Sequence, residues 1–265
     1  MAFRSLVGGS ATAVLRFHGE LADLLRTNTT EGIVRYPVGR RASIKDMIES
    51  LGIPHTELYR MRIGEQEVDF SYLPGQDDTM DLWPASVPVD VTRETRLRSA
   101  LARAGRFLVD ENVAGLVPLL RGLGLDTVYD RTWSDAHIAE TAFREARVLL
   151  SRDRALLKRS CVQHGRLVRS QQPDEQLVEV LALYPRPGDA IPFTRCLRCN
   201  CLLQPVAKER IRHRLEPRTK RYYDRFSICP ECDRLFWPGS HQRSMWERYV
   251  SLGVADAREI PDRLD

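Results

Sequence analysis

The chain has 265 residues, 43% of them hydrophobic and 29% charged, with a formal net charge of +4. That composition excludes a disordered chain, and no apolar run approaches the roughly eighteen residues that a membrane span needs. The length exceeds one ordinary core and calls for two or three small domains.

The opening stretch, "MAFRSLVGGSATA", holds too short an apolar run for a secretory leader. From residue 10 to 92 the signals follow a strand–strand–helix–strand–strand order. "AVLRFHG" and "GIVRYPV" read as strands. "SIKDMIESLG" then places Ile44, Met47, Ile48 and Leu51 at helical spacing, with Ser43 as N-cap and Gly52 as the stop. "LYRMRIG", "VDFSYL" and "TMDLWP" read as further strands. This is the order of a β-grasp, the ubiquitin-like fold. The charged, Ala-rich "VTRETRLRSALARAGR" (91–106) reads as a helical connector.

Residues 105–185 alternate strand and helix, which predicts an α/β/α domain with a mostly parallel sheet. The strands are "RFLVD", "DTVYD", "RVLLS" and "RLVRS". The helices lie near 114–123, at 134–145, from 154 and at 174–183. Pro118 fits only if its helix starts near Gly115. Asp110 ends the first strand, Asp135 opens a helix, and Asp153 follows the strand "RVLLS". Each alone also reads as a turn or cap residue. Together they fall along the edge of a parallel sheet where ligands bind. Converging carboxylates must take up protons or hold a cation, and hard oxygen ligands suit Mg²⁺ or Mn²⁺. Such a cation can activate water and stabilise the leaving oxygen of a phosphodiester, so the implied reaction is metal-assisted hydrolysis of a nucleic acid. Asp130 and Glu111 are candidate fourth ligands, and Asn112 could orient Asp110.

A proline-rich linker, "YPRPGDAIPF" (184–193), precedes a cysteine segment spanning 193–255. Cys196-x-x-Cys199 and Cys229-x-x-Cys232 form two knuckles for a tetrahedral, structural Zn²⁺, the pattern of a zinc ribbon. Cys201 is the spare thiol, His213 and His241 are substitute ligands, and Cys161 stands alone as a core or surface thiol. Clustered cysteines of this kind fit a reducing, cytoplasmic setting. Between Arg195 and Arg225 ten basic residues face three acids, a surplus larger than that of the whole chain. A positive field of this density suits RNA, and a solvated surface is the plainer alternative. Phe236, Trp237 and His241 could contact a base, although Trp237 also reads as the core of the small domain.

"FLVDENVAGLVPLLRGLGLDTVYD" and "SDAHIAETAFREARVLLSRDRALL" resemble the Mut-seven C-terminal RNase domain, a branch of the PIN-like nucleases. Ser151 stands where that pattern has Thr, and Pro118 is a second departure. "RCLRCN" and "CPECDRLFWPGSH" resemble the zinc ribbon that accompanies the domain in bacterial members. "GELADLL" and "SIKDMIESLGIPHTE" resemble the ubiquitin-like domain that precedes it. The resemblance implies that Asp110, Asp135 and Asp153 are metal-binding catalytic carboxylates and that RNA is the substrate.

The expected architecture is therefore multidomain α/β and α+β: a β-grasp (10–92), a PIN-like domain (105–185) and a zinc ribbon (193–255). The expected function is a metal-dependent ribonuclease. The alternative is a non-catalytic RNA- or ribosome-binding protein on the same fold. A sulfur-carrier role is disfavoured, since the β-grasp runs on into "WPASVPVDVTRE" without a free Gly-Gly tail.

Overall fold

The computed structural model describes residues 11–26, 31–39 and 41–258. Most of the stretch read for a leader, and residue 10 at the start of the β-grasp, lie outside the described residues.

The first unit comprises β1 (Thr12–Phe17), β2 (Ile33–Pro37), α1 (Ile44–Ser50), β3 (Leu58–Ile63), β4 (Gln66–Glu67) and β5 (Thr79–Pro84). Its sheet has the order β2-β1-β5-β3-β4, with β1 and β5 parallel at the centre. The alternation along β1 sends Ala13, Leu15 and Phe17 inward, and Leu15 and Phe17 share a core with Met47 and Ile48 of α1. The Ser43 hydroxyl accepts the Asp46 amide at 3.2 Å while the Asp46 carboxylate accepts the Ser43 amide at 3.3 Å, a reciprocal cap for α1. One expected strand is absent. "VDFSYL" turns instead of pairing, because Asp69 accepts the Ser71 amide at 2.9 Å.

The connector is also not helical: residues 91–105 are irregular. Tertiary contacts outweigh its helix-forming composition. The Arg98 guanidinium is buried over the Tyr59 ring at 4.0 Å and donates to the Thr56 carbonyl at 3.3 Å. The Leu101 amide is pinned to the Val91 carbonyl at 2.8 Å. No helix geometry satisfies both anchors.

The middle unit comprises β6 (Arg106–Val109), α2 (Leu116–Gly122), β7 (Asp126–Val128), α3 (Asp135–Arg144), β8 (Val148–Ser151), α4 (Arg154–Leu157), β9 (Gly165–Leu167) and α5 (Pro173–Leu183). The strands are all parallel in the order β7-β6-β8-β9. Helix α2 starts after Gly115, so Pro118 sits in its first turn, where a missing N–H costs nothing. Phe107, Val109, Val148 and Leu150 pack against α2 and α5 on one face. Leu108 and Leu149 point the other way, into a core shared by Ile138 of α3, Leu156 of α4 and the β-grasp residues. The β-grasp is thus built into one face of the parallel sheet.

A buried ion network locks that junction. Arg166 of β9 donates to Glu57 at 2.9 Å, Glu20 at 2.7 Å and Glu179 of α5 at 2.9 Å, and Glu57 also accepts the Leu167 amide at 2.7 Å.

The last unit comprises β10 (Gln204–Val206), α6 (Lys208–Ile211), α7 (Pro217–Tyr222), β11 (Phe226–Ile228), β12 (Leu235–Phe236) and α8 (Ser240–Ser251). Its three strands are antiparallel, and the basic insert forms α6 and α7. Helix α8 returns to the middle unit, where Tyr249 donates to the Leu119 carbonyl at 2.8 Å. A Cβ at Gly122 would lie 2.2 Å from the Tyr249 hydroxyl, so only glycine lets α8 approach. No described helix is long and apolar enough to cross a membrane.

Candidate functional site: an acidic sheet edge and a four-thiol centre

Chain order and sheet order together fix where a ligand fits. From β6 the chain passes to β7 on one side, then crosses to β8 on the other, so the order of strand addition reverses between β6 and β8. A crevice opens at the carboxyl ends of the strands at such a point. Asp110 directly follows β6, and Asp153 lies two residues beyond β8.

The Asp110 side chain is fixed on both oxygens. Oδ1 accepts the Glu111 amide at 2.7 Å, and Oδ2 accepts from Asn112 Nδ2 at 2.5 Å and from Ser151 Oγ at 2.7 Å. Ser151 Oγ in turn accepts the Asp153 amide at 2.8 Å, and Asn112 Oδ1 accepts the Arg152 amide at 2.9 Å. The ends of β6 and β8 are therefore stitched through one hydroxyl and one amide. Asp153 caps α4 by accepting the Ala155 amide at 2.7 Å. Asp135 opens α3, where it is exposed and forms no hydrogen bond with Asp110 or Asp153 among the described residues.

The neighbouring acids are occupied differently. Asp130 accepts from the Thr132 hydroxyl and amide, which lowers its carboxyl below the usual range. Glu111 accepts from the Tyr129 hydroxyl, and that hydrogen bond raises the Tyr129 phenol. None of Asp110, Asp135 and Asp153 is in an ion pair among the described residues. The nearby Arg152 guanidinium is instead turned to the carbonyls of Arg169 (2.7 Å) and Ser170. Carboxylates left unneutralised at a strand edge favour a cation.

The second centre is the cysteine cluster. The sulfurs of Cys196, Cys199, Cys229 and Cys232 all lie within 4.8 Å of one another, the one such group of potential metal ligands among the described residues. Cys196 and Cys232 are 3.7 Å apart, and tetrahedral Zn–S bonds of about 2.3 Å would set sulfurs about 3.8 Å apart. Both knuckles use the same turn. The Cys199 amide donates to Cys196 Sγ at 3.4 Å, and the Cys232 amide donates to Cys229 Sγ at 3.3 Å. The following residues, Asn200 (φ 67°) and Asp233 (φ 57°), are left-handed, a conformation that Asn and Asp tolerate. Burial pushes the Cys199 thiol up, its neighbours adding to the rise. At Cys229 burial would raise the thiol, but the Cys232 and Glu231 amides together with the Cys201 and Cys232 thiols outweigh it and hold the thiol down at about 6. Four clustered thiols cannot all ionise without a cation, so the donor set fits Zn²⁺.

Cys201 lies beside the centre, its sulfur 3.1 Å from that of Cys229. His213 and His241 are exposed and outside the cluster, and Cys161 packs against the shared core. Trp237 packs on Ile211, Leu215 and Phe226, so it belongs to the ribbon core, while Phe236 lies against the cysteines.

The first knuckle docks on the middle unit. Asn200 donates to Asp126 at 2.7 Å and accepts the Thr127 amide at 3.0 Å, and Arg121 donates to the Leu197 carbonyl at 2.9 Å. These contacts sit at the start of β7, the edge opposite Asp110. Sequence reasoning missed Asp126, Asn200 and the linking role of Ser151. Ser151 had a signal: β6 and β8 are equal apolar runs that pair Val109 with Leu150, which sets Asp110 beside Ser151. The Asp126–Asn200 contact bridges 74 positions and has no local signal.

A parallel sheet with an acidic carboxyl edge, joined to a β-grasp and a zinc-ribbon-like four-thiol centre, defines a nuclease-like class of protein. The model of the Mut7-C RNAse domain matches residues 105–249, and that of the Mut7-C ubiquitin domain matches residues 10–90. The chain belongs to the Mut7-C RNase family. No curated protein matches it, and no solved structure does.

Proposed function

We propose that the protein is a metal-dependent ribonuclease whose Asp110, Asp135 and Asp153 bind Mg²⁺ or Mn²⁺. The observation that carries this reading is the Asp110 carboxylate, fixed by Ser151 and Asn112 at the crevice of a parallel sheet and in no ion pair among the described residues. Mg²⁺ usually keeps several waters and takes one or two protein carboxylates, completed by substrate phosphate. An open edge with separate aspartates suits that coordination better than a closed cage. When bound, the ion would supply an activated water and stabilise the departing oxygen of a phosphodiester. Ser151 and Asn112 hold Asp110 so that its oxygens need not reorganise, and Asp153 adds negative charge from the adjacent strand.

RNA is the proposed substrate class. The exposed arginines of α6 and α7 and the loop between them would meet its phosphates, with the Zn²⁺-bound cysteines holding that surface in place. The free cysteines suit a reducing, cytoplasmic setting. A second reading, RNA binding without cleavage, draws on Asp135, which is exposed and forms no hydrogen bond with Asp110 or Asp153 among the described residues. The two are separated by incubating the purified protein with labelled structured and single-stranded RNAs in Mn²⁺, Mg²⁺ or EDTA. Asp110→Asn is the control.

A further inference from the structure

A cleft of about 920 Å³ opens where the β-grasp meets the connector, lined by none of Asp110, Asp135 and Asp153. Its wall is a three-membered stack that crosses three strands. His18 stacks on Trp83 with centroids 4.8 Å apart and planes 7° from parallel, and the Arg60 guanidinium lies 4.3 Å from the Trp83 centroid. The register explains the column: Arg60 is opposite Trp83 across β3 and β5, and His18 follows the β1 segment that pairs with β5. Asp81 holds the His18 ring at 2.7 Å. Arg60 is exposed and forms no ion pair among the described residues, so the outer plane of its guanidinium is open to a further flat group. In the cleft wall lies His164, 5% exposed, whose Nε2 donates to the Ser99 carbonyl at 2.8 Å while Nδ1 has no partner among the described residues. That unmet nitrogen is a buried acceptor without a donor.

Next to the column, on the same outward face, stand Arg16 and Arg35. Alternate residues of a strand share a face, and Arg16 pairs with Asp81 while Arg35 pairs with Val14. Both arginines are exposed and in no ion pair among the described residues, Asp81 opposite Arg16 being taken up by His18. From the stack, the turn of 3-10 helix at Gly19–Leu24 leads to the Leu24 carbonyl, which accepts from Arg154, the residue after Asp153, at 2.6 Å. Six residues of that helix span about 12 Å.

We propose that this cleft is a second RNA site, which stacks one base on the open end of the His18–Trp83–Arg60 column and tracks phosphates along Arg16 and Arg35. Its ligand is single-stranded RNA leading to the acidic edge, so its purpose rests on the ribonuclease reading. Flat π and guanidinium surfaces beside cations are what unpaired bases and phosphates need. An acidic peptide would use the cations and leave the column without a role.

The test is binding of a labelled, unstructured oligoribonucleotide to the full chain in EDTA, followed by fluorescence anisotropy across a salt series. Arg16→Ala/Arg35→Ala/Arg60→Ala should weaken binding at least tenfold and lower the slope of log K against log salt by about 1.4, since each of the two lost phosphate contacts, at Arg16 and Arg35, removes about 0.7 on a single strand. Arg60→Lys keeps the charge and removes the plane, and should still weaken binding several-fold. Unchanged affinity in the triple variant overturns the site, as does displacement of RNA by polyglutamate as readily as by unlabelled RNA. A triple variant that binds normally while wild type cleaves RNA in Mn²⁺ removes the second site and leaves the ribonuclease. Loss of binding in a protein that never cleaves removes the ribonuclease and leaves the site.

Discussion

Ser151 and Asp110 are joined by a 2.7 Å hydrogen bond between strands that lie side by side in the sheet but 41 residues apart in the chain. The same hydroxyl holds the Asp153 amide, so one oxygen ties together the backbone and side chain of two proposed metal ligands. Ser151→Ala should cost about 1–2 kcal/mol in denaturant unfolding, because it leaves a buried carboxylate one donor short. Cleavage should fall 10- to 100-fold, the usual loss for a residue that orients a metal ligand. Ser151→Thr keeps the hydroxyl and should retain most activity. Equal rates in Ser151→Ala and wild type would remove Ser151 from the positioning of Asp110.

The four-thiol centre should bind one equivalent of Zn²⁺ per chain, measured by metal analysis of the purified protein. Cys229→Ser/Cys232→Ser should abolish binding and unfold the ribbon, whose small core contributes little without metal. Cys201→Ser should keep the zinc, since Cys201 lies outside the cluster of four. Zinc lost in Cys201→Ser would reassign the ligand set.

Arg166→Ala should destabilise the protein by about 3–5 kcal/mol, because it strands the buried Glu57 carboxylate without its cation. The β-grasp and the parallel sheet share a core beneath this network, so the wild type should unfold in one transition for the two units. The variant should separate them into two, visible by calorimetry. A single transition shifted by less than 1 kcal/mol would show that the network is dispensable.

How far these features could be read from sequence follows the range of the interactions. Alternation in β1 and the spacing of Ile44, Met47 and Ile48 are local, and the corresponding elements form as the sequence predicts. "RFLV" and "VLLS" read as buried parallel strands because both of their faces are covered. The connector misled because its alanines and arginines favour a helix, while the buried Arg98 answers to Tyr59 and Leu58, some forty residues away in the chain. "VDFSYL" misled because alternation cannot show that Asp69 will capture the Ser71 amide. At the acidic edge, residue types and strand ends marked the aspartates, and the local bond from Asn112 to Asp110 forms as the sequence suggests. The Ser151 bond to Asp110 depends on strand register, which composition does not encode.

Asp126 supplies a pH-dependent contribution of known sign. Burial alone would raise its carboxyl; the Arg147 guanidinium and the Asn200 amide outweigh that and bring it from 3.8 down to about 2. The contribution is fully present above pH 4 and is lost as pH falls toward 2, where the folded carboxylate finally takes up its proton. With allowance for solvent screening it amounts to about 1–2 kcal/mol. Asp126→Asn should lose that amount at pH 7 and match wild type near pH 2, in urea titrations followed by circular dichroism. Curves that stay parallel across this range would contradict the assignment.

The most direct measurement of the central claim is cleavage of labelled RNA by wild type and Asp110→Asn under identical Mn²⁺ conditions. Metal-dependent cleavage that EDTA stops and the single substitution lowers by at least a hundredfold is the predicted result. Equal RNA degradation by the two proteins, or none by the wild type in either Mn²⁺ or Mg²⁺, would contradict it.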